Sequence, residues 1–438
     1  MTQQGAFTSV VEIKADSVDD LRNLLNAIGL VVDEKSCPIP FGRLRTVHFM
    51  RWVVLDPSWD VQGRPVPPSL VLSTNYDVPL DDHLEELVSV TNTAGTFDQI
   101  YGHCVGFDQK GDRVAYLKAH SVPYAAFYVG TRGRSVAQIH QEQQLRSDIE
   151  TYLDKTPGLP SDPAQLFATL RKTFTEGPYA WVKTDPAGEP PTGITLITAL
   201  GLGIALVAGI SVLIYWLVPG TLWWLFPGAG LVLAVVLYIL ALRLYETRER
   251  IPEVKTVGAP LADLVRREDQ VVQNQLTNVV LIKPSLFRRV TVRLALSAID
   301  LLGRVVFVRG ALGGIPSIHF ARWVILDHGR LLFMSNFDGS WENYLGDFID
   351  KASLGLNAIW GNTIGCPPTR FLVLDGARDE RRFKTWVREN QLVTQVWYSA
   401  YRNLSVENIN NNTRIRLGLA RADTNVTEAE AGEWLAFL

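Results

Sequence analysis

The chain has 438 residues, with 42 Lys and Arg against 45 Asp and Glu, and a formal net charge of -3. A nearly balanced charge argues against a nucleic-acid-binding protein that depends on a large basic surface. Three cysteines in a chain of this length exclude a disulfide scaffold, and the length itself suggests two or three domains.

The charges are absent from one continuous stretch. No Asp, Glu, Lys or Arg occurs between Glu189 and Arg243. Ile194–Leu217 is long enough to cross a bilayer as a helix, and the apolar run Leu222–Leu242 follows a Pro-Gly break. The pattern favours a transmembrane hairpin; the alternative is one span followed by a re-entrant or interfacial segment. Arginines after the second run and Lys183 before the first predict an inner-membrane protein with both flanking blocks in the cytoplasm.

The flanking blocks are copies of each other. His48–Asp56 (HFMRWVVLD) returns as His319–Asp327 (HFARWVILD), and further matches keep the same order over each copy. These pairs include Ser73-Thr-Asn-Tyr-Asp77 with Met334-Ser-Asn-Phe-Asp338, and Phe127-Tyr128 and Arg132 with Trp397-Tyr398 and Arg402. An internal duplication explains this agreement better than chance does.

Each copy predicts the order βαββαβ, which is typical of a ferredoxin-like unit. In the first copy a strand at 10–14 precedes a helix at 18–28; in the second a strand at 279–283 precedes a helix at 290–302. A later strand is predicted at 116–118 in the first copy and at 371–374 in the second. Ser135 and Ser405 are predicted to cap the closing helices. The fold class expected is α+β, with two units forming an intramolecular α+β barrel around an inserted transmembrane hairpin. The predicted boundaries are 1–150 for the first unit, 151–190 for a linker with a short helix, 191–245 for the hairpin, 246–275 for a second linker with a short helix, 276–422 for the second unit and 423–438 for a tail.

This arrangement resembles the duplicated dimeric α+β barrel superfamily, which includes dye-decolourising peroxidases and chlorite dismutases. The segments IHFARWVILD, SNFDGSWENYLGDFIDK and QVWYSAYRNLSVENI look like an uncharacterised bacterial membrane-anchored family. The superfamily resemblance implies a haem peroxidase as one alternative, in which His319 would be the axial ligand. Only Asp338-Gly339 remains of the GxxDG motif that carries the distal acid in dye-decolourising peroxidases, and His140 corresponds to Asn410.

The second copy carries the denser set of polar and aromatic side chains. The candidates for catalysis are His319, Arg322, Asp338 and Arg402, and the candidates for ligand binding are Trp323, Asn336, Trp341, Asn343, Trp360, Asn362 and Tyr398. A regular strand would turn His319 and Arg322 to opposite faces, so that they would not serve one pocket. Structural roles are the alternative to these catalytic and binding roles. In them the histidines bond a strand neighbour, the arginines pair with Asp77, Asp338 or a helix terminus, and an Asp or Ser caps the helix at Trp341. No zinc motif, Walker A loop or nucleophile elbow is present.

Three functions remain open from the sequence. The first is a membrane-anchored binding or accessory module that holds an apolar or lipid-derived ligand or docks a partner enzyme. The second is an oxidoreductase, haem-dependent or cofactor-free, that acts on a lipophilic substrate. The third is a structural scaffold without a pocket. The predicted partners are the lipid bilayer and a lipophilic small molecule or partner enzyme, and no nucleic acid.

Overall fold

The computed structural model describes most of both copies. The described residues are 3–184, 198, 201, 205, 225–248, 270–308, 310, 312–421 and 426–438. All statements on structure concern these residues.

The described strands form two four-stranded antiparallel sheets and two short ribbons. The strands are β1 (Gln4–Glu12), β2 (Val47–Leu55), β3 (Ser58–Trp59), β4 (Pro65–Val66), β5 (Ser69–Asp77), β6 (Tyr124–Val129), β7 (Gln273–Leu281), β8 (Ile318–Leu326), β9 (Arg330–Asp338), β10 (Thr369–Arg370), β11 (Leu374–Asp375) and β12 (Val396–Ser399). The first sheet has the order β1-β5-β2-β12 and the second β6-β8-β9-β7, while β3-β4 and β10-β11 are the ribbons.

The two copies exchange their last strand. β6 belongs to the first copy and pairs with β8 of the second, and β12 belongs to the second copy and pairs with β2 of the first. Each sheet therefore contains three strands of one copy and one of the other. The prediction of a closed barrel is wrong, because the strands form two separate sheets. Between the edges of the two sheets the described residues form isolated bridges, Ser9–Ser121 and Asn278–Gln391, and no continuous strand pairing.

The described helices partly cover the outer face of each sheet and partly pack on one another. They are α1 (Val18–Leu30), α2 (Leu80–Thr91), α3 (Thr96–Gly102), α4 (Arg113–Ala119), α5 (Val136–Lys155), α6 (Pro163–Thr173), α7 (Leu225–Glu246), α8 (Leu286–Val305), α9 (Trp341–Trp360), α10 (Glu380–Glu389), α11 (Val406–Ala420) and α12 (Glu428–Leu435). Ser135 and Ser405 cap α5 and α11 as predicted, since their hydroxyls accept from Gln138 N and Asn408 N. The segment predicted as a strand at 116–118 lies in α4 instead.

The central strands are buried on both faces. In β2, Met50 and Trp52 pack under the helices of the first copy, whereas Phe49 and Val53 face the second sheet. This double burial explains why β2 and β8 read as nearly continuous apolar runs rather than as an alternating pattern. A further core joins α5, α6, α11 and α12, so the predicted C-terminal tail is part of the packed structure.

The membrane prediction is wrong. Within the residues that the structure describes, no helix has both the length and the apolar character needed to cross a bilayer. The first predicted span, 194–217, lies outside the described residues except for positions 198, 201 and 205. The second becomes part of α7, where Tyr238 and Tyr245 pack on the ring of Phe287 of α8. The inner-membrane location, and the cytoplasmic placement derived from it, therefore lose their basis. The helix predicted in the second linker, at 261–276, lies outside the described residues up to 269, and its last four residues form the start of β7 instead.

Candidate functional site

A β-bulge in each copy changes the direction of the matched histidine. In β2, Val47 pairs with Tyr76 and Phe49 with Asn75, so His48 is an extra residue in the ladder. The same shift occurs around His319 in β8. A bulge breaks the two-residue period of a strand. His319 and Arg322 therefore both reach partners between the sheets, contrary to the alternation expected of a regular strand.

Each histidine is bonded to the aspartate of its own copy. His48 Nε2 lies 3.0 Å from Asp77 Oδ1, and His319 Nε2 lies 2.7 Å from Asp338 Oδ1. The second carboxylate oxygen accepts a hydrogen bond from the first residue of the closing helix, from Val136 N to Asp77 at 2.9 Å. A negative charge at a helix N-terminus is favourable because the free N–H groups and the helix dipole point at it. Each aspartate thus joins a bulge, a strand end and a helix start.

The corresponding bond in the second copy runs from Val406 N to Asp338 at 2.7 Å. His319 and Asp338, both predicted as catalytic candidates, are thus in contact. Their arrangement agrees with the alternative role given above, in which the histidine has a structural role and bonds a neighbour in the fold. Tyr401 lies between the copies, and its hydroxyl is 2.9 Å from His48 Nδ1. Burial raises the pKa of Tyr401 well above its ordinary value, so it stays protonated.

A haem does not fit at His319. The imidazole is fully buried, its Nε2 is held by Asp338, and the rings of Phe49 and Tyr401 enclose it at centroid distances of 5.3 and 6.0 Å. An axial ligand needs an open approach on the side of the free ring nitrogen. The surrounding residues leave no such approach, and no step through haem is derived.

Two buried arginines cross between the sheets. Arg51 of β2 donates to Leu276 O at 2.9 Å and to Ser335 O at 3.0 Å in the second sheet. Arg322 of β8 donates to Phe7 O at 2.7 Å and to Thr74 O at 2.6 Å in the first sheet. Neither arginine bonds a carboxylate among the described residues, contrary to the predicted ion pairs with Asp77 and Asp338. Burial lowers the pKa of both arginines to about 9, and the charge of Arg322 adds to the effect on Arg51.

Asn336 occupies the centre of this polar network. Its Oδ1 accepts from Arg51 Nη2 at 2.5 Å and from Trp397 Nε1 at 3.0 Å, and its Nδ2 donates to Asn75 Oδ1 at 3.3 Å. Asn336 is 3 % exposed. It therefore orders neighbouring side chains and is not open to a ligand in this structure.

Two of the predicted aromatic ligand-binding residues, Trp323 and Trp360, line a cavity between the second sheet and its helices. The cavity holds about 20 Å³, which is room for a single water-sized molecule. Ligand sites for drug-sized molecules usually measure about 300–1,000 Å³. The cavity is therefore too small for a lipid-derived molecule.

The remaining ligand-binding candidates lie apart from that cavity. Trp341 is buried under the guanidinium of Arg388, which is 3.6 Å from the ring centroid. Asn343 is exposed on the first turn of α9, where Ser340 provides the helix cap. Asn362 accepts from Arg288 Nη1 at 3.2 Å, and Tyr398 stacks on Phe41 in the core of the first copy. The structure does not bring these four residues together.

A cleft of about 630 Å³ with a mixed polar and apolar lining opens between the copies. One wall is the end of α1 and the loop after it, the other is the start of β7, and the floor is β12. The lining consists of Asn26, Gly29, Leu30, Val32, Asp33, Glu34, Val271, Gln273, Asn274, Gln275, Val393, Thr394, Gln395, Trp397 and Arg402. Of the predicted site residues, Arg402 alone lies in this cleft, where it pairs with Asp33.

The cleft exists because α1 is shorter than α8. The two helices occupy equivalent places, but α1 has 13 residues and α8 has 20. In the other copy the extra turns cover the exchanged strand, since Asp300 accepts from Phe127 N at 3.1 Å and Gly303 O accepts from Arg132 at 2.8 Å. Arg402, which matches Arg132, instead pairs with Asp33 and donates to Trp397 O at 3.2 Å. The surface of the exchanged strand that the last turns of α8 cover therefore has an uncovered counterpart beside α1.

The cleft is lined by apolar side chains together with polar and charged ones of both signs. The polar residues of the lining are largely bonded within the fold: Gln275 Oε1 accepts from Arg51 and Thr394, Gln395 Oε1 accepts from Val54 N, and Asp33 pairs with Arg402. The site residues predicted from the sequence lie mainly among the polar and aromatic side chains of the second copy and, apart from Arg402, do not include the residues of the cleft. The length difference between the two matched helices, which opens the cleft, is seen in the structure and is not predicted by the apolar spacing of the sequence. In comparisons with known proteins, no family model, no curated protein and no solved structure matches this chain, so the family resemblance stays a prediction.

Proposed function

We propose that this chain is a binding module, and that the cleft between α1, β7 and β12 holds its ligand. The observation that carries the proposal is the asymmetry of the duplication, because a place that α8 covers in one half is open beside α1 in the other. A volume of about 630 Å³ with several polar groups suits a ligand. A lining that combines apolar side chains with charged and polar groups favours an amphipathic ligand over the purely apolar or lipid-derived ligand expected from the sequence.

The buried polar centre supports a structural role rather than catalysis. The His48–Asp77 and His319–Asp338 pairs are enclosed and bonded to the fold, and none of the four residues lines the cleft. A general base must lie within hydrogen-bond reach of the proton that it removes from a substrate. A substrate in the cleft has no such group from these pairs.

The test is a fragment screen with a variant that fills the cleft. A library of soluble small organic fragments is screened against the full chain by saturation-transfer NMR. Asn26→Trp places an indole in the cleft from an exposed position of α1, and Asn23→Trp makes the same change one turn away, outside the lining. Fragments that bind the parent chain and Asn23→Trp but not Asn26→Trp support the proposal. A screen in which every hit binds Asn26→Trp as well, or in which no fragment binds, overturns it.

A further inference from the structure

The two copies carry different side chains at one buried position. Arg132 and Arg402 are matched residues, so Thr131, which precedes the first, corresponds to Tyr401, which precedes the second. Both follow an exchanged strand, β6 in one case and β12 in the other, and both are buried. Thr131 thus brings a short hydroxyl to the second sheet, where Tyr401 brings a phenol to the first.

The main chain holds these two residues in equivalent surroundings. Gln4 Nε2 donates to Thr131 O at 2.9 Å, and Gln273 Nε2 donates to Tyr401 O at 3.1 Å. Gln4 and Gln273 are themselves equivalent, because each is the first residue of the outer strand of its sheet. The copies therefore differ here in the side chain and not in the position of the backbone.

In the first sheet the phenol completes the hydrogen bonding of the histidine. The Nε2–H of His48 donates to Asp77 Oδ1, so its Nδ1 carries the lone pair and must accept. The Tyr401 hydroxyl, which stays protonated, lies 2.9 Å from that nitrogen and donates to it. Both ring nitrogens of His48 are thus hydrogen-bonded.

In the second sheet the corresponding nitrogen lacks a donor. His319 Nε2 donates to Asp338 Oδ1 at 2.7 Å, which leaves its Nδ1 as the acceptor. Nδ1 is buried, and no group of the described residues bonds to it. Thr131 Oγ1 is also buried without a partner in the described part of the chain, and both residues are 0 % exposed. Folded proteins pair nearly all buried polar atoms, with ordered water where no protein group is in reach.

We infer that the second copy contains a binding site for one water molecule between His319 Nδ1 and Thr131 Oγ1. The water donates to the imidazole, as the Tyr401 hydroxyl does to His48, and the threonine hydroxyl is its second partner. A threonine is shorter than a tyrosine by a phenyl ring, whose volume exceeds the about 30 Å³ of one water molecule. The site suits a small neutral molecule that both donates and accepts hydrogen bonds. It is separate from the cleft, which neither residue lines.

The first test is a high-resolution crystal structure of the full chain and of two exchange variants. We expect a water molecule within hydrogen-bond distance of both His319 Nδ1 and Thr131 Oγ1 in the parent chain, and none beside His48 Nδ1. Thr131→Tyr should displace this water and place its own hydroxyl on His319. Tyr401→Thr should create the equivalent water site beside His48. A parent structure in which His319 Nδ1 is dry, or is bonded by a protein group, overturns the inference.

Nitrogen-15 NMR of the histidine rings follows the same bond in solution, because a ring nitrogen that accepts a hydrogen bond resonates upfield of an unbonded one. The Nδ1 resonances of His48 and His319 should both be those of a bonded acceptor in the parent chain. Tyr401→Thr should keep the His48 resonance upfield, since water enters, whereas Tyr401→Phe should move it downfield, since its ring fills the space without a donor. An unbonded His319 Nδ1 in the parent chain, or equal downfield shifts in the two Tyr401 variants, overturns the inference. The Tyr401 variants decide the matter even if Thr131→Tyr does not fold.

Discussion

Arg51 and Arg322 cross the space between the two sheets in opposite directions, and each guanidinium ends on backbone carbonyls of the sheet that contains the other arginine. The pair joins the halves of the duplication through hydrogen bonds rather than through opposite charges. A buried cation without a carboxylate is costly unless its donors are satisfied. These contacts therefore explain why both arginines of the matched motif point into the interior.

Replacing Arg51 by methionine tests which of two opposing terms is larger. The change removes a buried charge, but it leaves five acceptors of Arg51 without their donor, against three for Arg322. We expect the lost hydrogen bonds to dominate, so that Arg51→Met lowers the free energy of unfolding by about 3 kcal/mol and Arg322→Met by about half as much. Urea unfolding measures both, with Arg381→Met on the exposed face of α10 as the control. A gain in stability would show that desolvation of the charge outweighs its bonds.

A second prediction uses a position at which the copies differ. His83 stacks on Tyr76 and lies 2.9 Å from Thr74 Oγ1; Tyr344 stacks on Phe337, and its hydroxyl donates to Ser335 Oγ at 2.7 Å. Burial, with smaller contributions from Arg322 and His48, lowers the pKa of His83 to about 3. In the folded chain His83 therefore stays neutral down to about pH 3, whereas in the unfolded chain it binds a proton below about pH 6.5. This stabilising contribution is present above pH 6.5 and is lost as the pH falls towards 3.

Exchanging the two residues should move this pH dependence with the histidine. His83→Tyr should reduce the fall in the free energy of unfolding between about pH 6.5 and 4 by up to about 1.4 kcal/mol per pH unit, the limit for one proton. Tyr344→His should add a comparable dependence. Urea unfolding at several pH values measures the slopes. Identical slopes for the parent and His83→Tyr would show that His83 takes up its proton equally in both states.

The features that the two copies share can be predicted from the sequence better than the features in which the copies differ. His48 and His319 stand out because seven of nine neighbouring positions agree, and the two serine caps follow from residue type and place. The bulges cannot be read in the same way, because HFMRWVVL is apolar enough to lie in a sheet in either phase. The strand exchange cannot be predicted from the sequence either. The apolar pattern of β6 and β12 indicates that both strands are buried, but it does not indicate which sheet each strand joins.

The cleft escaped prediction for a related reason. The apolar spacing predicts helices of similar length at 18–28 and 290–302, whereas the structure extends the second to 286–305 and the first only to Leu30. The turns that cover β6 contain Asp300 and Arg304, whose i,i+4 ion pair stabilises the surface of α8 without an apolar repeat. Helix ends are governed by such local contacts, and the open site in the other copy depends on their absence there.

The aspartates at the helix starts give a third prediction with its own control. Asp77→Asn keeps the shape of the side chain but removes the charge that faces α5, and we expect amide exchange of Val136 to accelerate about tenfold. The corresponding amide of Val406 should be unaffected, because it depends on Asp338. Asp338→Asn should reverse the pattern. Hydrogen exchange followed by NMR measures both amides in one sample, and equal acceleration at both helices would point to a global loss of stability instead.

One buried carboxylate fixes the end of α7 to the second copy. Glu246 accepts from Phe371 N at 2.6 Å, from Leu372 N at 2.8 Å and from Thr369 Oγ1 at 2.8 Å. Phe371 and Leu372 have φ angles of 59° and 53°, a left-handed conformation that side chains other than glycine rarely adopt. The carboxylate therefore stabilises two successive residues in an unfavourable backbone conformation and ties the end of α7 to them.

Glu246→Gln should release this segment, because an amide nitrogen cannot accept a hydrogen bond. We expect the protection of Phe371 and Leu372 against hydrogen exchange to fall by about 2 kcal/mol, and limited proteolysis to cut near Val373, which is 42 % exposed. Arg243→Gln is the matched control: it removes the ion pair to Glu246 and the cation–π contact with the Phe371 ring from a half-exposed side chain, leaves the bonds from Glu246 to the backbone in place, and should cost less than about 1 kcal/mol. An equal effect of both changes would place the contact in the ion pair rather than in the bonds from Glu246 to the backbone.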